Sequence, residues 1–278
     1  MSIKTNELQQ LSSILGTDSL LADTAAAGTG RLSLARAAEF FGAELVKPTN
    51  PVGAALSNKV SKTTRSDIYV AKAGSDETGD GSETAPYLTI QRAINSIGHI
   101  LEFRITLHIG AGTYDEDIVF NNIQGGGVHV KCAQNENGAS AVQVKSMTIY
   151  QCNTHISVFD MEIYGRNRDN STIYISNFCI VSLQNVVCKT DNREHNTPAL
   201  WINSSSAVFI RSCTISNQFC AVYAVGSIVY LNSGTTGSNN TVSLWSGNGN
   251  GSIGAIILKG SSTIAGATET REYGGQIF

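Results

Sequence analysis

The chain is poor in charge. Only 15% of its 278 residues are Asp, Glu, Lys or Arg, and 19 basic against 22 acidic residues leave a net charge of −3. Binding nucleic acid by neutralising phosphates takes clustered Lys and Arg, so this composition argues against a nucleic-acid partner. It argues equally against an acidic disordered tail, because 41% of the residues are hydrophobic. No apolar run approaches the roughly 20 residues of a membrane-spanning helix, and no membrane insertion is expected. Residues 1–10 lack the apolar stretch of a secretory signal. The reading is a soluble protein made in a cytosol.

Reactive motifs are scarce as well. Cys132, Cys152, Cys179, Cys188, Cys213 and Cys220 form no C-x-x-C pair and fall within strand-like runs. Their even number is compatible with disulfides, but a cytosolic chain of this size has no need of them, so reduced, buried thiols are expected. Residues 249–254 match G-x-G-x-x-G, yet Ala255–Leu258 after them reads as a strand and not as the helix a pyrophosphate site requires. Asp76 to Gly81 begins like a calcium loop, but Tyr87 stands where the bidentate Glu belongs. Neither G-x-S-x-G nor H-E-x-x-H occurs, and His99, His108, His129, His155 and His195 are scattered. No metal and no cofactor are expected.

What the chain does contain is organised in zones. Residues 1–46 alternate helical and turn signals, with Ser33 as N-cap of a stretch whose Leu34, Ala37, Ala38, Phe41 and Leu45 share one face. That apolar face predicts packing against something outside the segment. Residues 47–66 read as a connector, stopped by Pro48 and Pro51, in which Val52, Leu56 and Val60 recur every four residues and suit association about a symmetry axis. From Asp67 strands and turns take over. The exception is Pro86 to Gly98, whose Leu88, Ile90, Ala93, Ile94 and Ile97 predict an amphipathic helix stopped by Gly98.

An irregular repeat then decides the fold. Ile156–Ile163, Val181–Cys188 and Val208–Ile215 each place apolar residues at positions 1, 3, 6 and 8 and a small polar residue at position 5; Ile228–Thr235 keeps only the first half. A short strand precedes each unit: 148–150, 172–175, 199–202 and 221–224. Short strands and polar corners recurring every 20–30 residues predict a β-solenoid, in which position 5 turns the chain between faces. A β-sandwich is the alternative.

Candidate chemistry follows from this pattern. Ser212 to Leu258 is uncharged and rich in hydroxyls and amides, with Tyr223, Tyr230 and Trp245 as rings; such a surface suits sugars, and equally it keeps a solenoid soluble. Asp160 and Glu162 flank the inward Met161 and are expected to point to solvent, as a glycosidase pair or simply as solvated carboxylates. Asp115-Glu116-Asp117 reads as a turn. Asp191, Arg193, Glu194 and His195 cluster in an insertion between coils, where loops often carry function.

Two stretches resemble a family. Ile68–Asp76, Gly79–Ser82 and Ala85–Ile94, with Gly110–Tyr114, are similar to the opening of right-handed parallel β-helix proteins of the pectate-lyase-like superfamily, over residues 67–265. Ile14–Asp23 with Arg31–Leu34 resembles the opening of bacteriophage and prophage tail-fibre or tailspike proteins, and Gly274–Phe278 looks like the end of some. The resemblance implies an all-β right-handed parallel β-helix with a capping helix, preceded by a small α-rich attachment segment. It implies a virion protein, made in the host bacterial cytoplasm, homotrimeric, attached to other virion proteins through Leu34, Phe41 and Leu45, and meeting a bacterial surface polysaccharide. Residues 266–278 are expected to form a C-terminal tail. A polysaccharide depolymerase and a purely architectural virion component are the alternatives.

Overall fold

The computed structural model describes residues 66–167, 170–189, 197–247 and 254–278. The expected attachment segment, with Leu34, Phe41 and Leu45, and the Val52/Leu56/Val60 stripe lie outside the described residues.

Alternation of apolar and polar residues builds strands with one buried side, and coils of chain stack those strands in parallel. The first face runs β1 (Asp67–Val70), β2 (Ile100–Ile109), β4 (Gln124–Cys132), β6 (Asn153–Phe159), β9 (Ile180–Gln184), β12 (Ala207–Arg211), β15 (Ile228–Leu231), β17 (Ile256–Leu258) and β19 (Gln276–Ile277). Each pairing is parallel. A second face holds the short β7 (Glu162–Ile163), β10 (Val187–Cys188) and β13 (Thr214–Ile215). A third holds β8 (Ile173–Ser176), β11 (Pro198–Ile202) and β14 (Cys220–Ala224). In other coils one long strand covers both faces: β3 (Gly112–Asn121), β5 (Val142–Tyr150), β16 (Thr236–Ser246) and β18 (Thr263–Arg271). Thus β5 pairs with β7 through Gln143 and Val144 and with β8 through Met147 to Tyr150. This is an all-β parallel β-solenoid with very little helix.

Inward residues stack on their equivalents one coil away. Ile105, Val128, Ile156, Val181, Val208, Val229, Ile257 and Ile277 form one such column by register, and all are buried. Positions 1, 3, 6 and 8 of the three full repeat units are all buried. Burying each Val, Leu or Ile contributes about 1.5–3 kcal/mol before the cost of ordering the chain.

The corners carry the backbone cost. Asp160, Asn185 and Ser212, the three position-5 residues, have φ of 61°, 55° and 51°. Left-handed backbone is disfavoured for most side chains and tolerated best by Asn, Asp and Gly. Asn185 Nδ2 donates to Asp160 Oδ1 at 2.8 Å, so neighbouring corners also bond to each other.

Three expectations change. The helix α1 spans Ile90–Ser96 only, because Thr89 is the extended N-cap whose side chain accepts from the Arg92 N–H; Gly98, at φ 73°, is the stop. Residues 115–117 are no turn: they lie within β3, at a register shift between Tyr114 and Asp117. Residues 266–278 are no tail either, since β18 and β19 carry the pairing to Ile277.

Candidate functional site

Period-two alternation places one outward residue of the third-face wall in each coil. Val119, Thr148, Tyr174, Trp201, Tyr223, Trp245 and Thr270 are successive register partners in one column. Four consecutive members are aromatic. Ring centroids lie 5.5 Å apart for Tyr174–Trp201, 5.9 Å for Trp201–Tyr223 and 5.2 Å for Tyr223–Trp245. All four rings are half-buried, so each keeps part of its surface open to solvent. Phe219 supports the last at 6.5 Å, and Trp245 Nε1 donates to Glu272 Oε2 at 3.2 Å. Asn203 Nδ2 donates to Tyr174 Oη at 3.2 Å, which fixes the first ring.

The ladder opens at its first ring into a groove of about 520 Å³ lined by Asp117, Val119, Thr148, Tyr150, Asn167, Tyr174, Ser176 and Asn177. Asn167 Nδ2 donates to Thr148 Oγ1 at 3.1 Å. Asp117 accepts from Lys145 Nζ at 2.8 Å and from Ser146 Oγ. Burial works against its ionised form, but these two hydrogen bonds and the Lys145 charge outweigh it and hold the carboxyl below the usual carboxylate range. The groove thus offers an ionised acceptor, amides and hydroxyls beside rings.

Tyr223 and Trp245 are brought together as ladder members, whereas Tyr230 is on the first face, stacked on Phe209 at 4.8 Å and 5°. Sequence reasoning missed Tyr174 and Trp201. Their signal was present: both occupy the same place in the short strands before the repeat units as Tyr223 does.

The carboxylates differ from expectation. Glu162 is not solvated: its side chain is 10% exposed, paired with Lys189 Nζ at 2.7 Å and accepting from Gln143 Nε2 at 2.6 Å. Asp160 is spent on the corner bond from Asn185. The left-handed turn at Asp160 breaks the alternation that predicted two outward neighbours. Asp191, Glu194 and His195 lie outside the described residues.

All six cysteines are free and buried. Burial pushes the Cys213 thiol up to about 11 and those of Cys132, Cys188 and Cys220 higher still. Cys179 serves as a corner acceptor: the Cys152 N–H donates to Cys179 Sγ at 3.4 Å, and one coil on Ser206 Oγ takes that place, accepting from the Cys179 N–H at 3.3 Å. Among the described residues no group of His, Cys, Asp and Glu is arranged to hold a metal ion, and no helix is long and apolar enough to cross a membrane.

Fold and site together define a parallel β-solenoid with an aromatic outer face. No family model matches the chain, and no curated protein matches it. Solved structures similar to it include a mutant pectin methylesterase in complex with a hexasaccharide: 14% identity over 76% of this chain and 68% of that one, TM-score 0.37. Another is the pectin methylesterase from Aspergillus niger in deglycosylated form, with 10% identity over 76% of this chain and 91% of that one, TM-score 0.37. The likeness concerns the fold and carries no argument about activity.

Proposed function

We propose that the chain is a virion structural protein of the tail-fibre or tailspike kind that binds a host-surface polysaccharide along its third face. The observation that carries the binding part is the four-ring ladder continuous with the polar groove. Aromatic faces stack on pyranose rings, while Asn167, Asn177 and Asp117 suit the hydroxyl edges. The virion part rests on the resemblance of residues 14–34, and with it come attachment to other virion proteins and a homotrimer. Light scattering of the full chain tests the trimer: three times 29.5 kDa supports it and a monomer mass opposes it.

Cleavage is the second reading, favoured by Asp117 in the groove. Glycosidic hydrolysis requires a protonated carboxyl as acid beside a second carboxylate. Asp117 is held ionised, which suits a hydrogen-bond acceptor better than an acid. A purely architectural component is the third.

Trp201 and Trp245 are the chain's two tryptophans and both stand in the ladder, so intrinsic tryptophan emission reports this face alone. Titration with host-surface polysaccharide is expected to shift that emission, with Trp201→Ala or Tyr223→Ala weakening binding while the fold is kept. An unchanged emission with every polysaccharide tried would favour the architectural reading. New reducing ends or unsaturated products would favour the depolymerase.

A further inference from the structure

The first face carries a group of cations that the ladder does not use. The outward residues of β2, β4 and β6 form a grid in register: Arg104, Thr106 and His108; Gly127, His129 and Lys131; His155, Ser157 and Phe159. None of the nine is a carboxylate. Elsewhere among the described residues, Lys145, Lys189, Lys259 and Arg271 each lie within 4.0 Å of a carboxylate, and Lys72 and Arg92 lie over tyrosine rings. Among the described residues Arg104, Lys131 and, on a later coil, Arg211 have neither kind of contact, though the charge of Lys131 acts on Asp67. Like charges on adjacent strands oppose each other; Asp67 on β1 offsets part of this beside His108 and Lys131, and the repulsion left around Arg104 and His129 is a cost that a bound anion relieves.

His129 is the centre of the grid. Arg104 and His108 on β2 and His155 on β6 are its diagonal neighbours, about 7–8 Å away in sheet geometry, and Lys131 lies two residues on. Gly127 has no side chain, so the Arg104 side chain lies over it: a Cβ there would sit 3.8 Å from Arg104 Cγ. The remaining groups are accounted for. His108 Nε2 is 2.8 Å from Asp67 Oδ1 and stacks on Tyr69, and His155 Nε2 is 2.7 Å from Ser182 Oγ. Glu102 precedes Arg104 by two residues and Asp160 follows Phe159 at the corner.

We propose that this patch is a second binding site, separate from the ladder, for an anionic group carried on a saccharide, a carboxylate or a phosphate ester. Arg104 and Lys131 supply fixed charge, and His129 supplies charge that depends on pH. Burial first, and then the charges of Arg104, Lys131 and His155, hold the His129 imidazole below its ordinary value. A bound anion reverses that, so binding takes up a proton and strengthens as pH falls.

The test uses the full chain with carboxymethyl-dextran, dextran phosphate and neutral dextran. Binding is measured calorimetrically at about pH 5.5 and about pH 8, and at about 50 and about 300 mM salt. One or both anionic dextrans are expected to bind more tightly than the neutral one, weaker in high salt and tighter at low pH; which of them binds identifies carboxylate or phosphate. Arg104→Gln with Lys131→Gln is expected to lower the affinity about tenfold or more, while His129→Gln flattens the pH dependence. Arg271→Gln, a paired cation on the other wall, is the control and leaves binding unchanged. Equal affinity for all three polymers, or an equal loss in the control, overturns the proposal. So does an undiminished affinity in the double variant, whose solvent-facing changes leave the circular dichroism unchanged. Tryptophan emission, silent for this face, separates failure here from failure of the ladder.

Discussion

Single residues at the corners hold this backbone in conformations most side chains avoid. Asn185 combines a φ of 55° with a bond to the neighbouring corner. Asn185→Val is therefore expected to lower stability in urea unfolding by about 1–3 kcal/mol, while Asn185→Gly, which keeps the backbone free, costs less. Phe178 is the opposite case: φ 64° with 71% of its surface exposed, so strain is accepted without burial. Phe178→Asn is expected to raise stability by about 1 kcal/mol. The thiols are a third residue-scale matter. Buried, they are expected to resist a thiol reagent in the native state and to react, all six, after unfolding.

At the scale of elements, α1 illustrates how a strand can support a helix. Seven residues are too few for a helix to persist alone. Its N-terminal donors are all taken: Glu116 of β3 accepts from the Ile90 and Gln91 N–H groups at 3.1 and 2.9 Å, and Thr89 takes that of Arg92. Glu116→Ala leaves two of these unpaired and is expected to cost about 1–2 kcal/mol by thermal or urea unfolding. Asp76 ties the preceding loop to the same point, accepting from the Leu88 and Thr89 N–H groups and the Thr89 hydroxyl. Burial opposes its charge, yet these bonds hold its carboxyl below the ordinary 3.8. A depressed carboxyl stabilises the fold above 3.8 and loses that contribution as pH falls through its own lower value. Acid titration followed by circular dichroism is expected to show stability falling as the pH drops from 3.8 toward that lower value, and less steeply in Asp76→Asn.

For the whole molecule, stability is a sum over stacked rungs, each touching only its neighbours. Removing a central contact costs more than removing a terminal one. Ile156→Ala, fully buried between Val128 and Val181, is expected to cost about 2–5 kcal/mol, and Ile277→Ala at the end of the same column measurably less. The outer surface is divided by face: rings on the third wall, cations on the early coils of the first. On the later coils of the first face Ile180, Phe209, Ile228 and Ile256 stay exposed.

How much of this could be read beforehand depended on the range of the interaction. Ile156, Met161, Val186 and Cys213 were legible as core because burial alternates locally, and Asp160, Asn185 and Ser212 as corners because their side chains tolerate the turn. The fusion of two strands into β16 was hinted at only by the loss of the repeat's second half. The cap from Glu116 was hidden, since it lies 26 residues from the donor it satisfies. Tyr174, Trp201, Tyr223 and Trp245 are spaced 27, 22 and 22 residues apart, so no fixed period joins them. By itself the sequence determined which residues face inward and where the chain turns, because those are short-range consequences of hydrophobicity and backbone sterics. Which outward residues meet was decided only by the register between coils of unequal length, and that is a property of the stacked sheet.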